Sequence, residues 1–174
     1  IPAKAGIQQL SGSPMPLGDD DYCMMEQAIL DFPKQFAWKP KIENARQLGK
    51  VKKFLILGMG GSNLTAALLK IRDPLLDIAT HKDYGLPELL SAELKTRLTV
   101  ASSYSGNTEE TLDGFLQTVR AKLPVVAVAT GGTLLQLAKK HRQPYIQIPD
   151  TGIQPRMALG FNTIALLTLI GNAR

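Results

Sequence analysis

Leu55-Ile56-Leu57-Gly58-Met59-Gly60-Gly61-Ser62-Asn63 is an apolar run that stops at a glycine cluster, with a hydroxyl residue behind it. Lys53 to Leu57 is short, branched and apolar on both faces, the pattern of a parallel strand covered by helices on each side. The glycines let the backbone reverse at little steric cost and bring its N–H groups close to a ligand. Leu64 to Ile71 is a helix-forming run, which places Ser62 or Asn63 at its N-terminus, where unpaired N–H groups and the dipole attract an anion. The stretch therefore reads as a phosphate site.

Downstream, strands and helices alternate. Leu75 to Ala79 is a weaker strand, followed by the loop His81-Lys82-Asp83-Tyr84-Gly85-Leu86-Pro87, with Pro87 opening a short helix through Leu90. Leu98 to Ser102 is the clearest strand and ends in Ser103-Tyr104-Ser105-Gly106-Asn107-Thr108. Leu112, Phe115, Leu116, Val119 and Leu123 then keep a helical period, so Thr108 to Lys122 is predicted as a helix entered through hydroxyl residues. Val125 to Thr130 is a third apolar strand stopped by Gly131-Gly132, Thr133 to Lys140 its helix, and Tyr145 to Ile148 a last short strand. Gln154-Pro155-Arg156 leads into an apolar helix from Met157 to Gly171.

Upstream, residues 1–40 read as an arm and a helical lead-in. The first eighteen residues are rich in Gly, Ser and Pro without an apolar period. Asp19-Asp20-Asp21 suits a helix start, and Met24, Met25, Ala28, Ile29 and Phe32 recur at helical spacing, a stripe expected in the core. Pro33 and Pro40 break the helical pattern, and Ile42 to Leu48 is expected to form a second short helix. Alternating strands and helices imply a parallel sheet covered on both faces, with right-handed crossovers and ligands at the carboxyl ends of the strands.

The 174 residues fit one domain able to bury a core without staples, and 44% hydrophobic residues is ordinary for a soluble globule. A formal charge of +5 suits an anionic ligand. It does not point to nucleic acid, because basic runs such as Lys139-Lys140-His141-Arg142 sit at a helix end without interleaved aromatics. The single cysteine, Cys23, excludes an internal disulfide and any cysteine-rich zinc site, so a reducing cytoplasm is the natural compartment and Cys23 is expected to pack as a small apolar residue. Ile1-Pro2-Ala3-Lys4 lacks the hydrophobic region of a secretory signal. Met157 to Ala173 carries no charge, but it is short for a membrane span and contains Gly160, Asn162, Thr163 and Thr168, so a buried or interface helix is expected.

Ser103, Ser105 and Thr108 crowd hydroxyls around a strand end and a helix start, with Gly106 to curve the backbone, which is what a phosphate dianion requires. The plainer reading is a turn with Asn107 and Glu110 as a capping-box-like pair. A second Gly-Ser turn on a neighbouring strand favours the functional reading, because both turns can close on one anion. A dinucleotide fold competes: Gly58, Gly60 and Gly61 begin its fingerprint, but the last required glycine falls at Asn63, and Asp77, at the distance of a ribose-binding acid, is placed inside a strand. No Walker-type lysine follows the turn. Arg156, before an apolar helix, is directed either at a ligand or into a structural salt bridge. His81 and His141 read as surface or packing residues, and Glu109 and Glu110 complement a helix N-terminus rather than act as a base beside a phosphate.

Gly58-Met59-Gly60-Gly61-Ser62, Asp83-Tyr84-Gly85-Leu86-Pro87, Ser103-Tyr104-Ser105-Gly106-Asn107-Thr108-Glu109-Glu110-Thr111 and Gln154-Pro155-Arg156 occur in an order that resembles the sugar isomerase (SIS) domain. The resemblance is nearest to the amino-terminal half of bifunctional phosphoglucose/phosphomannose isomerases and runs from about Ala28 to the C-terminus. It implies a three-layer α/β sandwich with a five-stranded parallel sheet in flavodoxin-like order, an SIS domain over residues 41–174. It further implies that Ser62, Ser103, Ser105 and Thr108, with the Gly61 backbone, hold a sugar phosphate. Arg156 would stabilise the enediolate formed as glucose 6-phosphate or mannose 6-phosphate and fructose 6-phosphate interconvert. No metal or organic cofactor is expected.

Asn63 and Gly160 depart from the glycine and proline expected at those positions. The family's glutamate base, ring-opening histidine and lysine have no equivalents here. The chain thus looks like one half of an enzyme, to be completed by a second SIS domain or subunit in a homodimer. The alternatives are a regulatory sugar-phosphate-binding SIS module, or an amino-sugar or pentose phosphate isomerase on the same domain.

Overall fold

A computed structural model of the chain describes residues 19–89 and 91–173. The arm expected over the first eighteen residues and the packing of Cys23 and Met24 lie outside the described residues. In chain order, α1 (Asp19–Leu30) leads into a 3-10 turn (Phe32–Ala37), β1 (Ile42–Glu43) and a second 3-10 turn (Ala45–Gln47). Then come β2 (Lys53–Leu57), α2 (Gly61–Arg72), β3 (Asp77–His81), α3 (Ser91–Lys95), β4 (Arg97–Ser102) and α4 (Glu109–Arg120). The chain continues through β5 (Val125–Ala129), α5 (Gly132–Lys140), β6 (Tyr145–Gln147), a third 3-10 turn (Pro155–Met157) and α6 (Leu159–Ala173).

The sheet runs β1-β6-β5-β4-β2-β3. Strands β2 to β6 are all parallel, in the flavodoxin-like order expected. The strand count is six rather than five, because Ile42 and Glu43 pair antiparallel with Ile146 and Tyr145. The helix expected over Ile42 to Leu48 is replaced by this edge bridge, which turns at Asn44 in the left-handed region (φ 56). The helix expected from Pro87 begins only at Ser91.

Side-chain alternation along the strands builds the two outer layers. Phe54, Ile56, Val100, Val126 and Val128 pack with Ala66 and Leu69 of α2 and with Phe161, Ala165 and Leu169 of α6. Ala101, Val125, Ala127 and Ala129 point the other way, onto Phe115 of α4 and Leu134 and Leu135 of α5. Burying the rings of Phe54 and Phe115, each 0% exposed, contributes roughly 2–3 kcal/mol apiece. Burial within its own chain accounts for one face of the charge-free α6, while Leu167 and Gly171 on the other stay exposed. Among the described residues no helix is long and apolar enough to cross a membrane. Of the apolar residues expected on the buried face of α1, Ala28 is buried, whereas Met25 and Ile29 are exposed.

Two features of this sheet position the site. Neighbouring strands β2 and β4 send their following helices to opposite faces, which opens a crevice at their carboxyl ends. The opposite end is closed by charge: Arg97, 7% exposed, binds Asp77 at 2.6 Å and Glu93 at 2.7 Å. Burial pulls the Arg97 guanidinium down, but its hydrogen bonds to Glu93 and Asp77 outweigh this and leave its pKa raised. Asp77 is therefore committed to an ion pair at the amino end of β3, away from the glycine turn.

Candidate anion-binding site

The first turn is built from glycine and closed by an amide. Gly60 adopts a positive φ of 50 and caps α2, which begins at Gly61. Ser62 and Asn63 consequently lie inside the first helical turn, two and three positions beyond the cap, rather than at the cap itself. A Cβ on Gly58 would lie 2.7 Å from the Ser102 carbonyl oxygen, so glycine is what lets the ends of β2 and β4 meet. Asn63, standing where a glycine was expected, donates from Nδ2 to the Gly58 carbonyl at 3.2 Å and fastens the turn. Ser62 is 9% exposed and borders a small cavity shared with Thr65, Ser102 and Asn162.

The second turn follows β4. Ser103 is 2% exposed, and its N–H donates to Val128 at 3.0 Å, joining it to β5. Its Oγ lies 2.8 Å from Thr108 Oγ1 and accepts the Gly106 N–H at 3.1 Å. Ser105 is exposed and accepts the Asn107 N–H at 3.3 Å, while half-buried Thr108 caps α4 without a side-chain hydrogen bond to the helix. Asn107 takes no part in the capping box considered for it. Its Oδ1 accepts both the N–H and the hydroxyl of Thr133 at 3.0 Å, tying this turn to the start of α5.

That third turn is bolted on further: Thr130 N–H donates to Tyr104 at 2.9 Å and Leu134 N–H to Gly106 at 2.8 Å. Glu109 and Glu110 occupy the first turn of α4, and Glu109 accepts a 3.0 Å hydrogen bond from the Tyr84 hydroxyl. This bond to Glu109 raises the phenol above its ordinary value. His81 approaches the Tyr84 carbonyl at 3.2 Å, and His141 caps α5 at its C-terminus.

Arg156 sits in the middle of the Pro155–Met157 turn. This turn packs on the first glycine turn so closely that a Cβ on Gly61 would lie 3.3 Å from Arg156 Cα and 3.3 Å from the Pro155 carbonyl oxygen. Arg156 is exposed and forms no ion pair among the described residues, so the structural salt bridge considered for it is not made there. It borders a groove of about 590 Å³ together with Gln35, Thr151, Gln154 and Phe161. Among the described residues no three His, Cys, Asp or Glu side chains gather into a metal site.

Gly61, Ser62, Ser103, Ser105 and Thr108 therefore lie on turns at the ends of two adjacent strands, with the Arg156 turn against the first. Sequence reasoning missed the parts played by Asn63, Asn107 and Gln35. For Asn107 the only signal was the neighbouring glycine pair Gly131-Gly132, which announces a tight turn without naming its partner.

No protein-family model matches the chain. A bifunctional phosphoglucose/phosphomannose isomerase from Caldicellulosiruptor bescii is 34% identical over 160 residues, covering 83% of this chain and 44% of the relative. The chain is a homologue of the bifunctional phosphoglucose/phosphomannose isomerases. It spans about 44% of the length of that relative. Among solved structures, a putative sugar-phosphate isomerase from Listeria monocytogenes aligns with a TM-score of 0.55 at 12% identity, covering 89% of this chain and 91% of that one. The Vibrio vulnificus NanR protein complexed with ManNAc-6P aligns with a TM-score of 0.52 at 15% identity, covering 88% of this chain and 61% of that one. At such identities the likeness concerns the fold, which is that of an SIS domain.

Proposed function

We propose that this homologue of the bifunctional isomerases supplies the phosphate clamp and the oxyanion-stabilising arginine of an aldose–ketose isomerase. Its substrates are glucose 6-phosphate or mannose 6-phosphate on one side and fructose 6-phosphate on the other. The observation carrying this reading is the meeting of the Gly58–Asn63 and Ser103–Thr108 turns at the switch point, with the Arg156 turn packed on Gly61.

Ser105 and Thr108 present accessible hydroxyls to the phosphate, and Gly61 and Ser62 present the start of α2. Ser103 works from behind. Its oxygen accepts the Gly106 N–H and pairs with Thr108 Oγ1; with the Ser103 proton given to that pair, the Thr108 proton is free for a phosphate oxygen. Hydroxyl donors of this kind fix the substrate's position, which turns the proton transfer into an oriented event. Isomerisation moves a proton between C1 and C2 through an enediolate whose negative charge grows on oxygen. The Arg156 guanidinium answers that charge, and one such preorganised donor contributes roughly 3–4 kcal/mol to catalysis.

The general base belongs elsewhere in this reading. Glu109 already binds Tyr84, and a carboxylate beside a phosphate dianion is repelled. A second SIS domain or a partner subunit of a homodimer supplies the base, with residues 41–174 forming the first SIS domain and 1–40 its arm and lead-in. A reducing cytoplasm is the compartment proposed.

Calorimetric titration with fructose 6-phosphate and inorganic phosphate tests the roles. Both should bind, the sugar phosphate more tightly, and Arg156→Ala should erase that preference while keeping phosphate affinity. A preference unchanged by Arg156→Ala would remove Arg156 from the site and favour a purely regulatory module. A coupled assay for glucose 6-phosphate on the same sample should read background, whereas robust turnover would place the base within this chain.

A further inference from the structure

We infer that Gln35 is a positioning residue for Arg156, holding from the lead-in the turn on which the guanidinium is mounted. The inference rests on the reading of Arg156 as a sugar-phosphate ligand. Gln35 lies in the Phe32–Ala37 turn and is 5% exposed. An amide so buried needs partners for both its ends. Its Nε2 donates to the Met157 carbonyl at 2.8 Å, and its Oε1 accepts the Phe161 N–H at 3.1 Å. Met157 closes the turn that has Arg156 at its centre. Phe161 lies in the first turn of α6, where N–H groups have no partner within the helix.

One planar amide thus fastens the end of the arginine turn to the start of the core helix behind it, across 122 residues of sequence. Glutamine is the side chain that fits, because the carbonyl demands a donor and the N–H demands an acceptor. Glutamate keeps the acceptor and loses the donor, and leucine loses both. Gly160 completes the fit. A Cβ there would lie 2.7 Å from both Cβ and Oε1 of Gln35, so this glycine is matched to the glutamine it faces. The edge of Trp38 against Phe161, with ring centroids 5.6 Å apart, anchors the same lead-in to α6. Gln35 and Arg156 border the same groove, so a shift of the turn moves the guanidinium within it.

The test is calorimetry with fructose 6-phosphate and with inorganic phosphate, combined with limited trypsin digestion at the Arg156–Met157 bond. Gln35→Leu, Gln35→Glu and Gly160→Ala should each weaken fructose 6-phosphate binding about tenfold and leave phosphate binding within about twofold. They should also speed cleavage after Arg156. In an Arg156→Ala background, Gln35→Leu should cause no further loss of sugar-phosphate affinity. Equal losses for both ligands, or a full additional loss in the Arg156→Ala background, would overturn the inference, because Gln35 would then act on the fold as a whole. A parent chain that binds the two ligands alike would overturn the reading of Arg156 itself. Unaltered trypsin cleavage in the Gln35 variants would instead overturn the coupling of Gln35 to the turn.

Discussion

Gly106→Ala is expected to abolish sugar-phosphate binding and to lower the melting temperature by about 10 °C. Gly106 has a φ of 73, a left-handed conformation that costs a residue with a Cβ roughly 1–2 kcal/mol. The new methyl group would also overlap the Gly131 carbonyl oxygen and lie 2.9 Å from its carbon. Neither backbone can withdraw freely, because Leu134 N–H donates to Gly106 at 2.8 Å and Thr130 N–H donates to Tyr104 at 2.9 Å. Conformational cost, overlap and a lost hydrogen bond together come to about 4 kcal/mol. At roughly 2–4 °C per kcal/mol for a chain of this size, that is the expected fall. Differential scanning calorimetry and a phosphate titration check it; a variant that melts within about 2 °C of the parent and binds normally would show that the turns are not locked together.

The Ser103→Ala/Ser105→Ala double variant is expected to weaken fructose 6-phosphate binding by at least about a hundredfold. The Ser105 hydrogen bond to the charged phosphate contributes about 1.5–3 kcal/mol, and loss of the Ser103 hydroxyl that orients Thr108 from behind adds about 1 kcal/mol. The single variants separate binding from folding. Ser105 is exposed and accepts only the 3.3 Å Asn107 N–H bond, so its loss should act mainly on the ligand. Ser103 is buried and bonded to Thr108 and Gly106, so Ser103→Ala should also cost roughly 1 kcal/mol of stability. Backbone pairing of the Gly106 N–H with the Ser103 carbonyl at 3.1 Å keeps the turn closed. Calorimetry showing parental affinity in the double variant would take both serines out of the site.

The parallel core was legible because its chemistry is local. Phe54–Leu57 is an uninterrupted apolar run ended by glycine, and the strand occupies Lys53–Leu57. Val125–Ala129 is apolar throughout and stops shortly before Gly131-Gly132, and Arg97–Ser102 is β-branched and apolar at its centre and closed by the serine-rich turn. The edge bridge at Ile42–Glu43 was not legible, because two residues hold no period and their pairing is decided by Tyr145 and Ile146 far along the chain. The proline ring favours the φ of a first helical residue, but the helix starts only at Ser91.

Within the candidate site the hydroxyls and glycines could be read from spacing, since each serves its own turn. Asn107 and Gln35 could not, because their partners, Thr133, Met157 and Phe161, come together only through the fold. Asn63 looked like a defect in a glycine motif. Its amide closes that turn instead.

The two readings of the glycine turn make opposite thermal predictions. Asn63 occupies the position of the last fingerprint glycine, and Asp77 is bound to Arg97 at the other end of the sheet, so a dinucleotide has neither its close approach nor its ribose partner. Fructose 6-phosphate at a hundred times its dissociation constant should stabilise the chain by about 2.7 kcal/mol, a rise in melting temperature of about 5–10 °C. NAD at the same concentration should leave the melting temperature where it was. Stabilisation by NAD with none by fructose 6-phosphate would contradict the sugar-phosphate clamp.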